Sequence, residues 1–554
     1  MKNRLLRFAC SLSAIIMLPL LARAEEATKV AEKGLDQKID EAFAPVANLF
    51  EGLVFTKIPL PEPYNVPLVL FLLIFGAAFF TVAFAFVSIR LFPLAIQVVS
   101  GKWDKLDKRA ADPQAAVEMV DGDIVKTAAD ESRIGEVSHF QALATAVSGT
   151  VGLGNIAGVA VAIAVGGPGA TFWMIVCGFL GMSSKFVECT LGVKYRDIDN
   201  NGTVFGGPMY YLTKGFKEIG LGPIGKVLGI LFAILCIGAS FGGGNAFQAN
   251  QATVQISSML GTTGGATKTI IGIIMAAVVA VIIIGGIKRI ASVTEKLVPL
   301  MAVIYMLAAL IIILMHFSEI PTAVGMIIEG AFTPAAGVGG MIGVILVGFQ
   351  RAAFSNEAGA GSAAIAHSAV STRYPASEGI VALLEPFIDT VVICTMTALV
   401  IVLYNMGDAN GDPFFTYGLV EGGKVAVNGM QVGGVDLTSL AFDDVLPGFR
   451  YVLTVAVVLF AFSTLISWSY YGLQSWKYIF GRSKAADMTY KVLFCLFVVV
   501  GAASSLDSVI RFSDAMILGL VFPNMIGLFF LFPKVREELN RYLKAIRDSK
   551  SSGS

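Results

Sequence analysis

The chain has 554 residues, 56% hydrophobic and 14% charged, with a mean hydropathy of +0.76, a balance that excludes an ordinary soluble globular protein and implies a polytopic membrane protein. Its 40 Lys and Arg offset 40 Asp and Glu, so the formal net charge is zero, and no long basic block stands outside the loops to hold nucleic acid. Six cysteines (Cys10, Cys177, Cys189, Cys236, Cys394, Cys495) show no paired spacing, and five lie in apolar segments, where they read as packing residues and not as disulfides or metal ligands.

Residues 1–24 carry Lys2, Arg4 and Arg7, an apolar run from 8 to 21, and Ala22-Arg23-Ala24. The run is too short to span and ends in a small-residue site, which predicts a cleaved signal peptide and a mature N-terminus in the periplasm, with the chain in the bacterial inner membrane. Within 25–65, Ile39, Phe43, Val46, Leu49, Phe50 and Leu53 recur at helical spacing among charged residues. That predicts a periplasmic amphipathic helix on the outer membrane surface. Pro61 and Pro63 precede a first span at 66–92, and the loop to 138 carries Lys102, Lys105, Lys108, Arg109, Lys126 and Arg133, placing it in the cytoplasm.

Ten further spans are predicted near 139–165, 170–193, 226–250, 268–287, 290–316, 337–371, 377–404, 448–480, 487–506 and 512–533. Lys194, Arg196, Lys214, Lys217, Lys288, Arg289, Lys296, Arg373, Lys477, Arg482 and Lys484 fall on one side, together with a basic tail at 534–554. The acidic excursion 405–446, with Asp408, Asp412, Asp443 and Asp444, falls on the other. The expectation is eleven spans, N-terminus out and C-terminus in.

The chain is organised around 148–158, SGTVGLGNIAG. A helix in lipid satisfies its backbone internally, so Gly149, Gly152, Gly154 and Gly158 in eleven residues predict an unwound stretch lining a cavity. Such a stretch turns carbonyl oxygens toward a cation, and the helix restarting after it aims N–H groups at an anion. The alternative is a close-packing glycine face. A second interruption, QRAAFSNEAGAGS at 350–362, falls in the sixth of the ten spans that follow the first, where the earlier one lies in the first of them. The fold class is therefore all-α and polytopic: a ten-helix, five-plus-five inverted repeat with two broken helices, residues 139–316 and 317–533, plus one extra N-terminal span within 66–138.

Asp197-Ile-Asp199-Asn-Asn201-Gly202 opens like a calcium loop, but position twelve is Pro208, which leaves a polar cytoplasmic turn. Asn201-Gly202-Thr203 lies on the wrong side for glycosylation. His139, His316 and His367 form no reactive or metal-binding constellation; His367, at the inner end of the second broken helix, reads as a packing residue before it reads as a proton site. No phosphate loop is present, so no nucleotide is expected, no residue is catalytic, no cofactor is implied, and an ion gradient is the energy source. Arg351 and Glu357 in the second interruption, with Glu385 and Asp389 four apart on the next helix, predict a charge network that gates the site. Lys185 and Glu188, three apart near an inner helix end, read as a local pair or as side chains that snorkel to the interface. GGGNAFQANQ at 242–251 supplies Gln248 and Gln251, and FSTLISWSYYG at 462–472 supplies Ser463, Thr464 and Trp468. Hydroxyls and carbonyls suit a hard monovalent cation, and amides suit a carboxylate or amine; the alternative for each is interhelical hydrogen bonding.

GTVGLGNIAGVA at 149–160, GGPMYYL at 206–212, GFQRAAFSNEAGAGSAAIAHSA at 348–369 and EGIVALLEPFIDT at 378–390 resemble the alanine or glycine:cation symporter family, over about residues 66–540. The resemblance implies the ten-helix inverted-repeat fold of the bacterial leucine transporter, whose first broken helix is similar to Val151-Gly152-Leu153-Gly154-Asn155. Carried over by position, the Leu153 and Gly154 amides hold a substrate carboxylate. Carbonyls of Ser148 and Val151 with Ser463 and Thr464 resemble one sodium site, and Thr150 with Asn155 resembles another. Thr150, Gly152 and Asn155 also fall in the substrate site, Phe349 loosely matches the aromatic lid, and Gln248 and Trp468 are placed on the substrate from the pattern. The implied function is uptake of small neutral amino acids, alanine and glycine, with sodium as coupling ion, by alternating access across the lipid bilayer. A proton-coupled carrier on the same fold is the alternative, motivated by Glu385, Asp389 and His367.

Overall fold

The computed structural model describes residues 34–61, 65–108, 119–120, 123–124, 135–199, 202–261, 266–284, 286–332, 340–407, 412–418 and 424–551. The expected signal peptide at 1–24 lies outside the described residues, as do Arg109, Lys126, Arg133, Asn201 and Asp408.

Helix α1 (Leu35–Val54) buries Phe43, Ala47 and Val54. Helix α2 (Leu68–Ala83) ends earlier than the 66–92 expected, because Ala85 and Phe86 both take left-handed backbone, φ 51° and 56°, and turn the chain into the short helices Val87–Arg90 and Phe92–Val99. The first broken helix follows as α3 (His139–Thr150), a non-helical stretch at 151–153, a π-helical turn Gly154–Gly158, and α4 (Val159–Gly166), with a 50° bend. Ser138 starts α3 with a reciprocal cap: its hydroxyl accepts the Gln141 amide at 3.2 Å, and the Gln141 side chain accepts the Ser138 amide at 3.1 Å.

Helices α5 (Gly169–Lys194) and α6 (Pro208–Glu218) flank a hairpin of strands Asp197–Ile198 and Val204–Phe205, so the polar turn expected there is a hairpin tip, where Asp199 Oδ1 accepts the Thr203 amide at 2.8 Å. Next come α7 (Gly222–Leu260), which contains a π-helical turn Gly242–Ala246, then α8 (Thr267–Ile283), α9 (Gly286–Met315) and α10 (Ile320–Phe332). No helix was expected at α10. Helix α11 (Gly340–Asn356) stops at the second interruption, where Glu357, Gly359 and Gly361 have φ of 56°, 91° and 85° before a single turn Ala364–His367. The chain closes with α12 (Pro375–Tyr404), a hairpin Val425–Val427 with Met430–Val432, α13 (Val435–Val445), α14 (Phe449–Phe480), α15 (Lys484–Ala503), α16 (Leu506–Gly519) and α17 (Val521–Ser551).

Among the described residues, seven helical segments are long and apolar enough to cross a bilayer, and the bent α3/α4 pair makes an eighth; α2, α8 and α10 are shorter apolar helices. Ile273, Ile274, Leu300, Leu307, Val492 and Leu496 are exposed while Lys185, Glu188, Glu385 and Asp389 are buried, the inverse of a water-soluble surface.

Three segments do more than the sequence suggested. Helix α1 is docked on protein: Phe43 and Phe50 meet Phe512 of α16 edge-on at 5.2 and 6.0 Å, Asp36 accepts from the Thr269 hydroxyl at 2.5 Å, Asp40 accepts the Ser505 amide at 2.7 Å, and Glu51 pairs with Arg511 at 2.9 Å. The basic tail is the continuation of α17 through Pro533, held by Lys194 on Glu538 at 2.7 Å and by Arg541 over the Tyr374 ring at 5.2 Å. Helix α13 covers the first break, since the Thr438 hydroxyl donates to the Ile156 carbonyl at 3.1 Å and Gln251 Oε1 accepts the Val435 amide at 2.8 Å.

Candidate functional site

At the first break, Val151 leaves the helix with ψ 88°, freeing the amides that follow. Buried amides need acceptors. Asn155 Oδ1 accepts from Gly152 N at 2.9 Å, and Gln248 Oε1, from α7, accepts from Leu153 N at 3.0 Å. Gln248 is itself held by the π-helical turn, donating through Nε2 to the Gly243 carbonyl at 2.9 Å. Position 152 has no room for a side chain: a Cβ there would collide with Thr464 Oγ1 and lie 3.1 Å from Gln248 Oε1. Gly154 likewise backs onto the second broken helix, where a Cβ would lie 3.4 Å from Ser355 Cα.

Uncharged oxygens gather on the other side of the break. The Thr464 hydroxyl of α14 donates to the Ser148 carbonyl at 3.1 Å, and the Ser148 hydroxyl donates to the Ser463 carbonyl at 2.8 Å. All three residues are buried. The structure thus brings Ser148, Ser463 and Thr464 together, but the Ser463 hydroxyl turns to its own helix, donating to the Phe460 carbonyl at 2.9 Å. Thr150 and Asn155, expected to serve a second sodium site together, turn their side chains to different partners. Thr150 bonds back to the Ala146 and Val147 carbonyls at 3.3 and 3.4 Å, as a helical threonine does, while Asn155 Nδ2 donates to Asp389 Oδ1 at 2.6 Å.

Trp468 is buried, donates through Nε1 to Glu357 Oε1 at 2.9 Å, and lies so close to Gly244 that a Cβ there would enter its ring. Tyr471 meets it edge-on at 5.3 Å, and the Tyr471 hydroxyl and Ser467 Oγ have no hydrogen-bond partner among the described residues. Phe354 is the α11 ring that meets α7, edge-on to Phe247 at 5.1 Å; Phe349 is buried earlier on that helix, its carbonyl facing Cys177 Sγ at 3.9 Å.

Of the charge network expected of Arg351, Glu357, Glu385 and Asp389, Arg351 turns to a partner outside it, while Glu357 and Glu385 face a common Lys185 and Asp389 faces Glu385. Arg351 pairs with Asp514 of α16, which also accepts from Gln350 Nε2 at 2.9 Å. Glu357 accepts from Trp468 and Ser362, Glu385 accepts from Lys185 at 3.0 Å, and Asp389 accepts from Asn155, Ser355 and Thr390. Arg351 and Glu357 part because Arg351 leaves the body of α11, whereas Glu357 lies past its end, where a left-handed φ of 56° turns the chain. Lys185 and Glu188 are corrected too. Lys185 is fully buried on Glu385 of α12, and Glu188 accepts from Asn524 of α17 at 2.9 Å. A signal for this was present, since Lys185 lies nine residues before the end of α5 at Lys194, about 14 Å, too deep to snorkel. Sequence reasoning also missed Asp514, Asn524 and Glu378, the last of which accepts from both His139 and His367.

A bundle with an apolar outer surface, built on a buried broken helix lined by neutral oxygens and amides, belongs to the class of multi-pass membrane transporters. The sequence pattern of the sodium:alanine symporter family matches residues 60–553, and the chain belongs to that family. It is a transporter and not an enzyme. The sodium/alanine symporter AgcS of Methanococcus maripaludis is 37% identical over 477 residues, covering 86% of this chain and 94% of its own. The amino-acid carrier protein AlsT of Bacillus subtilis is 34% identical, covering 84% and 87%, and the probable sodium/glutamine symporter GlnT of the same organism is 33% identical, covering 74% and 79%. Among solved structures, MhsT in complex with L-phenylalanine aligns with a TM-score of 0.47 at 16% identity, covering 73% of this chain and 100% of that one.

Proposed function

We propose that the protein takes up small neutral amino acids, alanine and glycine, together with sodium, by alternating access in the bacterial inner membrane. The observation that carries the reading is the break at 148–155, which presents backbone amides on one side and uncharged oxygens of Ser148, Ser463 and Thr464 on the other. Amides suit a carboxylate and neutral oxygens suit sodium. In this reading Gln248 gives up the Leu153 amide to the substrate carboxylate, and Trp468 and Gly244 keep the space for the side chain small. Asn155 holds the break open by bonding both Gly152 and Asp389. Eleven spans with N-terminus out, and an inverted repeat over 139–316 and 317–533, complete the reading. It is supported by the two breaks standing at corresponding places in the chain and by the similarity to the sodium/alanine symporter AgcS.

The test is uptake of labelled alanine by proteoliposomes under a sodium gradient or a proton gradient imposed separately. Sodium-driven accumulation is expected. Uptake that follows the pH gradient with sodium absent would overturn the reading in favour of a proton-coupled carrier on the same fold.

A further inference from the structure

Both ring nitrogens of His367 face carboxylate oxygens: Nδ1 lies 2.5 Å from Glu378 Oε1, and Nε2 lies 3.4 Å from Glu385 Oε2. A neutral imidazole has one N–H and one lone pair, and a lone pair set against a carboxylate oxygen repels it; a ring carrying both protons donates to both. The outer oxygens are also engaged, Glu378 Oε2 with His139 Nδ1 and Glu385 Oε1 with Lys185 Nζ at 3.0 Å. All five side chains are buried. Two carboxylates and one lysine leave one negative charge in a place where an unpaired charge is costly, and one proton on His367 cancels it. Other charges face the group. Arg196, seated on the Ser368, Val370 and Thr372 carbonyls, faces Glu378 from the solvent side, Glu188 and Glu357 face Lys185, and Asp389 faces Glu385. The inner three are carboxyl groups, which favour retention of the proton when ionised, whereas the Arg196 cation opposes it from Glu378, its N–H groups being committed to the three carbonyls.

We propose that His367, Glu378 and Glu385 form a proton-binding site, separate from the substrate and sodium ligands, whose proton ties the turn Ala364–His367, packed against α3 and α5, to α12 while the cytoplasmic side is shut. His139 opens α3 at the end of the bundle that carries the basic loops, and Glu378 joins it to His367. The segment entering α3 is paired with the end of that turn, the Glu136 amide donating to the Ala369 carbonyl and the Ser371 amide to the Val137 carbonyl, so when α3 and the turn move together away from α12 the hydrogen bond from His367 Nδ1 is lost, and its proton passes by Glu378 to water at the His139 end, leaving a neutral ring. The proton therefore exchanges with the cytoplasm alone. Cytoplasmic acid holds the gate closed and slows substrate release without protons being carried across. By linkage, whatever ligand favours the shut arrangement tightens the proton by the same factor.

The chain has three histidines, His139, His316 and His367, which makes the ring states countable by nuclear magnetic resonance on the full chain in lipid with nitrogen-labelled histidine. The expected result is one doubly protonated ring at neutral pH, absent in His367→Gln and lost as pH rises. Three neutral rings at neutral pH would overturn the site. A second measurement rests on the sodium-driven reading: alanine uptake into right-side-out vesicles with internal pH varied at fixed external pH. Wild-type rate should fall on the acid side with a limiting slope of about tenfold per pH unit, as one proton requires, and that limb should vanish in His367→Gln. A limb that persists in the variant overturns the lock. Absence of sodium-driven uptake in the wild type would sink the transport reading while leaving the resonance result standing. If His367→Gln does not fold, the wild-type titration decides alone.

Discussion

Arg351→Met should destabilise the protein, and Arg351→Met combined with Asp514→Leu should cost less than Arg351→Met alone. The two side chains are 6% and 4% exposed and join α11 to α16, with the guanidinium 5.6 Å from the Phe354 ring. Removing one partner of a buried ion pair costs about 3–5 kcal/mol, because the remaining charge is stranded away from water. Arg351→Met leaves Asp514 its Gln350 donor at 2.9 Å, which sets the expected cost near the low end, about 3 kcal/mol. Asp514→Leu leaves the guanidinium no acceptor in place of the carboxylate, which sets its cost near about 5 kcal/mol. The double variant strands neither charge. The assay is the half-life of thermal inactivation of the purified protein in detergent, which ranks stabilities when unfolding is irreversible. A double variant whose loss equals the sum of its singles would refute the pairing, since independent sites add.

Thr464→Val should raise the sodium concentration for half-maximal uptake about ten- to hundredfold, the equivalent of about 1.5–3 kcal/mol for one hydrogen-bonding oxygen lost from a cation. Ser463→Ala should shift it much less, because that hydroxyl bonds its own helix; equal shifts would contradict the orientation described. Asn155→Ala and Gly152→Ala should each reduce uptake to background in protein that still reaches the membrane, the first by releasing the Gly152 amide and Asp389, the second by driving a methyl group into Thr464. Wild-type transport in either would remove the site from this break. Asp436, in the first turn of α13 outside the spanning helices, has its carboxyl pushed up to about 6 by burial, against the pull of Lys424 and Lys268. A folded value above the unfolded one favours the fold fully below about pH 4, and that contribution is lost as pH rises through about 6. Asp436→Asn should therefore melt higher than wild type at pH 8 and equally at pH 4; a gain at both would assign the effect to something other than ionisation.

The membrane class, the break at 148–158 and the family were legible in the sequence because each rests on local chemistry. Apolar residues in long runs have no other solvent, four glycines in eleven residues cannot hold a lipid-facing helix, and long motifs carry their own identity. Gln248, Ser463, Thr464 and Trp468 were also within reach, as polar residues in otherwise apolar helices. Which partner each buried charge takes was decided by the tertiary structure. Arg351 meets Asp514 across 163 positions, Lys185 meets Glu385 across 200, and His139 meets Glu378 across 239. Helical phase states which face of its own helix a side chain leaves, and the packing of the bundle states what stands opposite that face. The early end of α2 belongs to the same category, because the left-handed turn at Ala85 and Phe86 is imposed on residues with no preference for it and is stable only where the surrounding helices hold it.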